Sequence, residues 1–134
     1  MLANASTIVR LSLHVLAATI WVGGQFTLAG LVPSARASAP QVLPVLARGF
    51  ARMAWPAFAV LVATGIWNVA AVDPSKQTAA WRVVLSVKIA VVVLSGVSAW
   101  LHQRSVTPRG LAVWGAVSGL SAVAAVVLGV ALAG

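Results

Sequence analysis

Residues 111–133 read LAVWGAVSGLSAVAAVVLGVALA, an apolar run without one charged side chain. About 20 such residues wound as a helix cross the roughly 30 Å hydrocarbon core of a bilayer. Backbone N–H and C=O groups find no water there, so the segment must close its hydrogen bonds internally, and helix is the form that does so. Three runs of the same kind precede it: about residues 8–32, interrupted by Arg10, His14 and Gln25; 53–72; and 81–101, with Lys88 inside it. The sequence thus predicts an all-α integral membrane protein, a four-helix bundle forming a single membrane domain over residues 1–134. Composition agrees: 61% of the residues are hydrophobic and 7% charged, against about 25% charged in a soluble domain.

Nine Lys and Arg stand against a single acid, Asp73, for a net charge of +8. The basic residues cluster at the ends of the apolar runs rather than along one stripe. Anionic lipid head groups and retention of positive loops in the cytoplasm account for that placement, and nucleic acid is not an expected partner. Arg36, Arg48, Arg52, Arg104 and Arg109 fall on one face of the membrane; Arg10, Lys76 and Arg82 share the other with Asp73. Five charges against a net two (three minus one) put the first face in the cytoplasm and both termini outside it. Pro33, Pro40 and Pro44 punctuate the stretch from Pro33 to Arg52, which is expected to run as a loop along the membrane surface. Asp73 to Ala80 and His102 to Gly110 read as short turns. Ala37-Ser38-Ala39 has the small-residue look of a signal-peptidase site, but the preceding apolar run is about twice a signal core in length. Cysteine is absent, which excludes disulfides and thiolate metal sites. Trp55, Trp100 and Trp114 at one set of span ends, with Trp67 and Trp81 at the other, form the expected interfacial belt. Trp21, near the middle of its span, does not fit that belt.

Polar groups inside a bilayer are costly, and each is a functional candidate by default. His14, Asn68 and Lys88 lie about 9, 8 and 5 Å outward of their span centres at 1.5 Å per residue. All three thus fall in the same outer half of the membrane, on different helices. His14, Ala18, Trp21 and Gln25 share one stripe of the first span, and Thr64 and Asn68 one side of the second. If these faces point inward, a small polar pocket of His14, Asn68 and Lys88 forms with Trp21 as its floor. Gly23 and Gly24 would then allow close approach to the first span. Each residue also has a plain structural reading. Lys88 snorkels along its stem, His14 hydrogen-bonds a serine or a backbone carbonyl, and Asn68 makes an interhelical hydrogen bond. His102 is interfacial, and Gly115 and Gly119 mark a close helix contact. With two His and no Cys, metal binding is limited to a single-histidine site at His14 or one shared between protomers. No nucleotide-binding or hydrolytic motif is present, so binding or transport is favoured over catalysis.

His14 and Ile20-Trp21-Val22-Gly23-Gly24 are followed by Arg48-Gly49-Phe50-Ala51-Arg52-Met53-Ala54 and Thr64-Gly65-Ile66-Trp67-Asn68. Trp81-Arg82-Val83-Val84-Leu85 then runs into Lys88. This order, from about Leu11 to Arg104, resembles the CopD-type copper-resistance membrane domain, whose typical members carry additional spans. The resemblance implies copper handling in the bacterial inner membrane, by binding, uptake or resistance, beside a periplasmic copper-binding protein. A His in the first span and a Lys in the third are also similar to the HemJ-type protoporphyrinogen oxidases. That likeness implies haem b, with His14 as its ligand and Lys88 as partner to a propionate or the substrate. A third reading is an accessory bundle within a homo-oligomer or a larger membrane complex.

Overall fold

A computed structural model describes residues 2–134, which form four long helices and no strand. We label them α1 (Ala5–Ser38), α2 (Pro40–Val72), α3 (Ala79–Arg104) and α4 (Pro108–Ala133), each long and apolar enough to cross a membrane. The expected all-α membrane fold is the one that forms. The helices fall into two compact units, one ending at Asp73 and the other beginning at Pro74. α1 packs on α2 in the first hairpin and α3 on α4 in the second.

Local chemistry explains the helix ends. Asn4, Thr78 and Thr107 stand before α1, α3 and α4, and their side chains accept the backbone N–H groups of Thr7, Trp81 and Gly110 at 2.9, 3.1 and 3.0 Å. Each satisfies a donor that has no partner within its helix. α2 ends at Asp73, whose φ of 55° turns the chain left-handed, a conformation that Asp tolerates better than most residues. The Trp81 indole donates to the carbonyl of Leu132 at 3.3 Å, closing one of the open acceptors at the end of α4.

The loop expected over Pro33 to Arg52 is a correction. Only Ala39 separates α1 from α2, and the flanking residues are helical. Pro40 and Pro44 stand in the opening turns of α2, where a missing N–H costs nothing. Pro33 lies within α1, giving up one hydrogen bond near its end. At 34 and 33 residues these helices are about 50 Å long. Their hairpin therefore reaches past the hydrocarbon core and carries Arg36 and Arg48 with it.

Side-chain size is sorted inside out. Ile66, Leu120 and Val130 are each more than 60% exposed, whereas most of the buried positions are small, among them Ala17, Ala54, Ala57, Ala122 and four serines. Outward Leu, Ile and Val suit lipid, and small inward residues let backbones approach. In the second hairpin, Ser95 and Ser118 each donate a hydroxyl to the other's carbonyl, at 3.0 and 3.1 Å. This serine pair draws α3 to α4 more than the anticipated Gly115 and Gly119 do. A Cβ at Gly115 would stand 3.1 Å from the His102 ring, but one at Gly119 would meet nothing within 4 Å. Ser95→Ala and Ser118→Ala should each lower stability by about 0.6–1.7 kcal/mol, read by thermal unfolding in detergent. Ser118→Leu should cost more than either, because that site has no room to expand.

Candidate functional site

The first hairpin brings His14 of α1 against Thr64 of α2, with Nδ1 and Oγ1 2.8 Å apart. Hydrogen counting assigns the donor. The Thr64 hydroxyl has one proton and gives it to its own helix, at 2.7 Å from the Val60 carbonyl and 3.2 Å from that of Leu61. With that proton engaged, Oγ1 is placed to accept from the ring, which assigns the Nδ1–H tautomer to His14. The ring stands over Gly65, its Cε1 3.6 Å from where a Cβ would be. Expected to bond a serine or a carbonyl, His14 instead has a threonine. A histidine whose Nδ1–H is held by a fixed acceptor is oriented as metal-bound histidines are.

Asn68 follows Thr64 by one turn. The anticipated interhelical hydrogen bond is absent: Asn68 Oδ1 is buried and has no partner among the described residues. Burying such an acceptor costs about 1–3 kcal/mol, so the site calls for a water, an ion or a ligand donor. Arg10 precedes His14 by one turn and is 9% exposed. Sequence reasoning placed it at a span end and missed its burial. The spacing Arg10, His14, Ala17, Trp21 was the available signal, since it runs along one helical stripe.

Trp21 is 3% exposed, with the rings of Phe58 and Trp55 at 4.4 and 5.4 Å. Trp55 and Phe58 meet edge to face at 5.9 Å. Trp55, expected in the interfacial belt, is thus part of a packed cluster, while Trp67 and Trp100 remain exposed as a belt requires. The Arg104 guanidinium covers the Trp100 ring at 4.3 Å. Around Trp21 the chain forms a π-helical turn, Thr19–Gly23, a local widening common at functional sites. The Gln25 amide donates to the Trp21 carbonyl at 3.0 Å. Of the two glycines read as permitting close approach, Gly24 lies under the Phe50 ring and Gly23 meets nothing.

Lys88 belongs to the second hairpin. Its Nζ rests against α4, 2.9 Å from where a Cβ on Gly129 would stand. Gly129 was not singled out from the sequence, though an interior glycine opposite a lysine is a reasonable sign of a cradle. His102 Nδ1 lies 2.8 Å from the Leu111 carbonyl and donates to it, which ties α3 to α4 across their short connection.

Donor chemistry bounds what the first hairpin can bind. Among the described residues, no group of three or more His, Cys, Asp or Glu could hold a metal ion. His14 supplies one imidazole nitrogen, and Thr64 and Asn68 supply neutral oxygens. Imidazole suits copper, but such oxygens are poor donors to it. One chain therefore offers a single strong ligand, fit for a metal whose remaining ligands come from elsewhere.

A protein-family model, copper resistance protein D (CopD), matches residues 44–134. The matched stretch holds Thr64, Asn68 and Lys88, and His14 and Trp21 precede it. No curated protein and no solved structure matches the chain.

Proposed function

Since the chain belongs to the copper resistance protein D family of membrane proteins, we propose that it handles copper through His14, in the bacterial inner membrane. The observation that carries this reading is the hydrogen bond between His14 Nδ1 and Thr64 Oγ1, which fixes the orientation of an imidazole inside a membrane-spanning helix. Copper is the cargo, and His14 gives it one nitrogen. Asn68 Oδ1 accepts a hydrogen bond from a water or a second ligand, and the Trp21 cluster excludes solvent beneath. The missing donors come from a second copy or from a periplasmic copper-binding protein, which suits transfer better than storage.

One observation favours a second reading. Haem iron already has four pyrrole nitrogens and needs only one imidazole, which is what this hairpin supplies. His14 would then be the axial ligand of haem b. Absorbance and metal analysis of the detergent-purified chain separate the readings. Copper bound without a Soret band supports the first, and a Soret band with iron the second. Neither copper nor haem would leave an accessory role in a larger membrane complex.

The orientation proposed with this reading has Arg36, Arg48, Arg52, Arg104 and Arg109 on the cytoplasmic side and both termini outside. A reporter active only in the cytoplasm, fused after Gly134, is expected to be silent. A strong signal would reverse the orientation and move His14 to the inner leaflet.

A further inference from the structure

Arg48 and Arg52 stand one turn apart on α2, both exposed. Like charges at this spacing weaken a helix unless an anion lies between them. The chain cannot supply that anion, because its one acidic side chain, Asp73, caps the far end of α2, about 30 Å away. Beside the two arginines an open apolar groove of about 550 Å³ runs between α1 and α2, lined by Leu28, Leu31, Val45, Leu46, Gly49 and Phe50 among others. Its size is that of a small-molecule site. Within it the Phe50 ring lies on Gly24. At Gly49 the wall is open, since a Cβ there would meet nothing within 4 Å. The groove lies where the long hairpin leaves the hydrocarbon core, so apolar surface and paired cations meet at head-group level.

We propose that this groove binds one anionic phospholipid, an acyl chain running toward the hydrocarbon core against Leu28 and Met53 and the phosphate held between Arg48 and Arg52. Each half of the site matches one half of that ligand. Guanidinium groups form strong charge-assisted hydrogen bonds to phosphate oxygens, and the groove offers an acyl chain apolar contact on both helices. The short sequence from Arg48 to Met53 acquires a physical reason. Two cations flank a glycine that opens the groove and a phenylalanine that lines it. This site is separate from His14 and does not depend on what His14 binds.

The test uses the full chain in nanodiscs of phosphatidylcholine with or without phosphatidylglycerol, and native mass spectrometry of the lipid retained. The parent protein is expected to keep one phosphatidylglycerol in preference to phosphatidylcholine. Gly49→Leu fills the groove without striking the protein and should lose that lipid. Arg48→Gln with Arg52→Gln should weaken retention about 30-fold, at about 1 kcal/mol per basic residue near an anionic surface. Arg104→Gln with Arg109→Gln should leave it near the parent level. Circular dichroism and thermal unfolding establish that each variant is folded, and Gly49→Ala, which leaves most of the groove open, serves if Gly49→Leu does not fold. Parent-like retention in Gly49→Leu, or equal losses in both arginine pairs, would overturn the proposal in favour of general surface attraction. Equal competition by inorganic phosphate would reduce the site to an anion site. Loss of a dimer in Gly49→Leu, with lipid content unchanged, would make a second copy the occupant.

Discussion

His14→Ala is expected to remove bound copper from the purified protein while the helical fold and thermal unfolding stay close to those of the parent. No other nitrogen donor of this kind stands in the first hairpin, so truncation leaves only neutral oxygens, which hold copper poorly. The structural cost is small, because Thr64 Oγ1 keeps its hydrogen bond to Val60. Loss of the His14 bond to Thr64 should amount to about 1 kcal/mol. Thr64→Val tests orientation apart from ligation. It keeps the imidazole but removes the acceptor that aims it, and should weaken copper binding by about 10- to 100-fold. Lys88→Met keeps the apolar stem and deletes the charge. A lysine that only snorkels tolerates that change, whereas one that balances an anionic ligand group loses affinity. His102→Ala is the control and should retain copper. If His14→Ala keeps its copper while His102→Ala loses it, the site is on the second hairpin and the assignment to His14 fails. The same variants followed by the Soret band read the haem alternative.

Trp21→Ala should destabilise the protein by about 3–5 kcal/mol, the range for truncating a buried aromatic side chain. Its ring fills the first hairpin, 4.4 Å from Phe58 and 5.4 Å from Trp55, and its truncation would leave a cavity there. The surrounding π turn, Thr19–Gly23, is shaped around that ring, so Trp21→Ala should also loosen the backbone there and raise hydrogen exchange. Trp67→Ala and Trp100→Ala are the comparison. At 42% and 45% exposed these indoles contact surroundings rather than core, and their loss should leave thermal unfolding within about 1 kcal/mol of the parent. Equal losses at Trp21 and Trp67 would show that burial does not distinguish them.

Different residues were legible to different degrees. His14 and Asn68 were visible because a polar group in an apolar run has few harmless explanations. Their depth and stripe followed from helical geometry alone, and the contact of His14 with Thr64 agrees with both helices facing each other there. The partners were not legible. Asn68 was expected to bond across helices and does not, because a hydrogen bond needs two groups to meet within tenths of an ångström, and that is set by helix rotation and spacing. Arg10 shows the same limit. Its position near the start of a span suggested solvent or head group, and only packing revealed that it is buried.

What the sequence by itself determined is the number, length and character of the membrane-spanning segments. Hydrocarbon leaves an unpaired backbone no alternative to helix, so an apolar run of sufficient length has one outcome. The turn at Asp73 and the caps at Thr78 and Thr107 were equally local, since each depends on residues within one turn. Tertiary structure decided the rest. Prolines in 33–52 did not mark a loop, because Pro33 is tolerated inside α1 and Pro40 and Pro44 fall where α2 begins. Ser95 and Ser118 join α3 to α4, while Gly119 of the apparent glycine motif faces open space. Trp55 packs against Trp21 instead of joining the belt. In lipid nearly every outward side chain is apolar, so hydrophobicity no longer distinguishes the buried face from the exposed one. Which face is buried is chosen by the fit of small residues and hydrogen bonds between helices, and that fit exists only once the helices are packed.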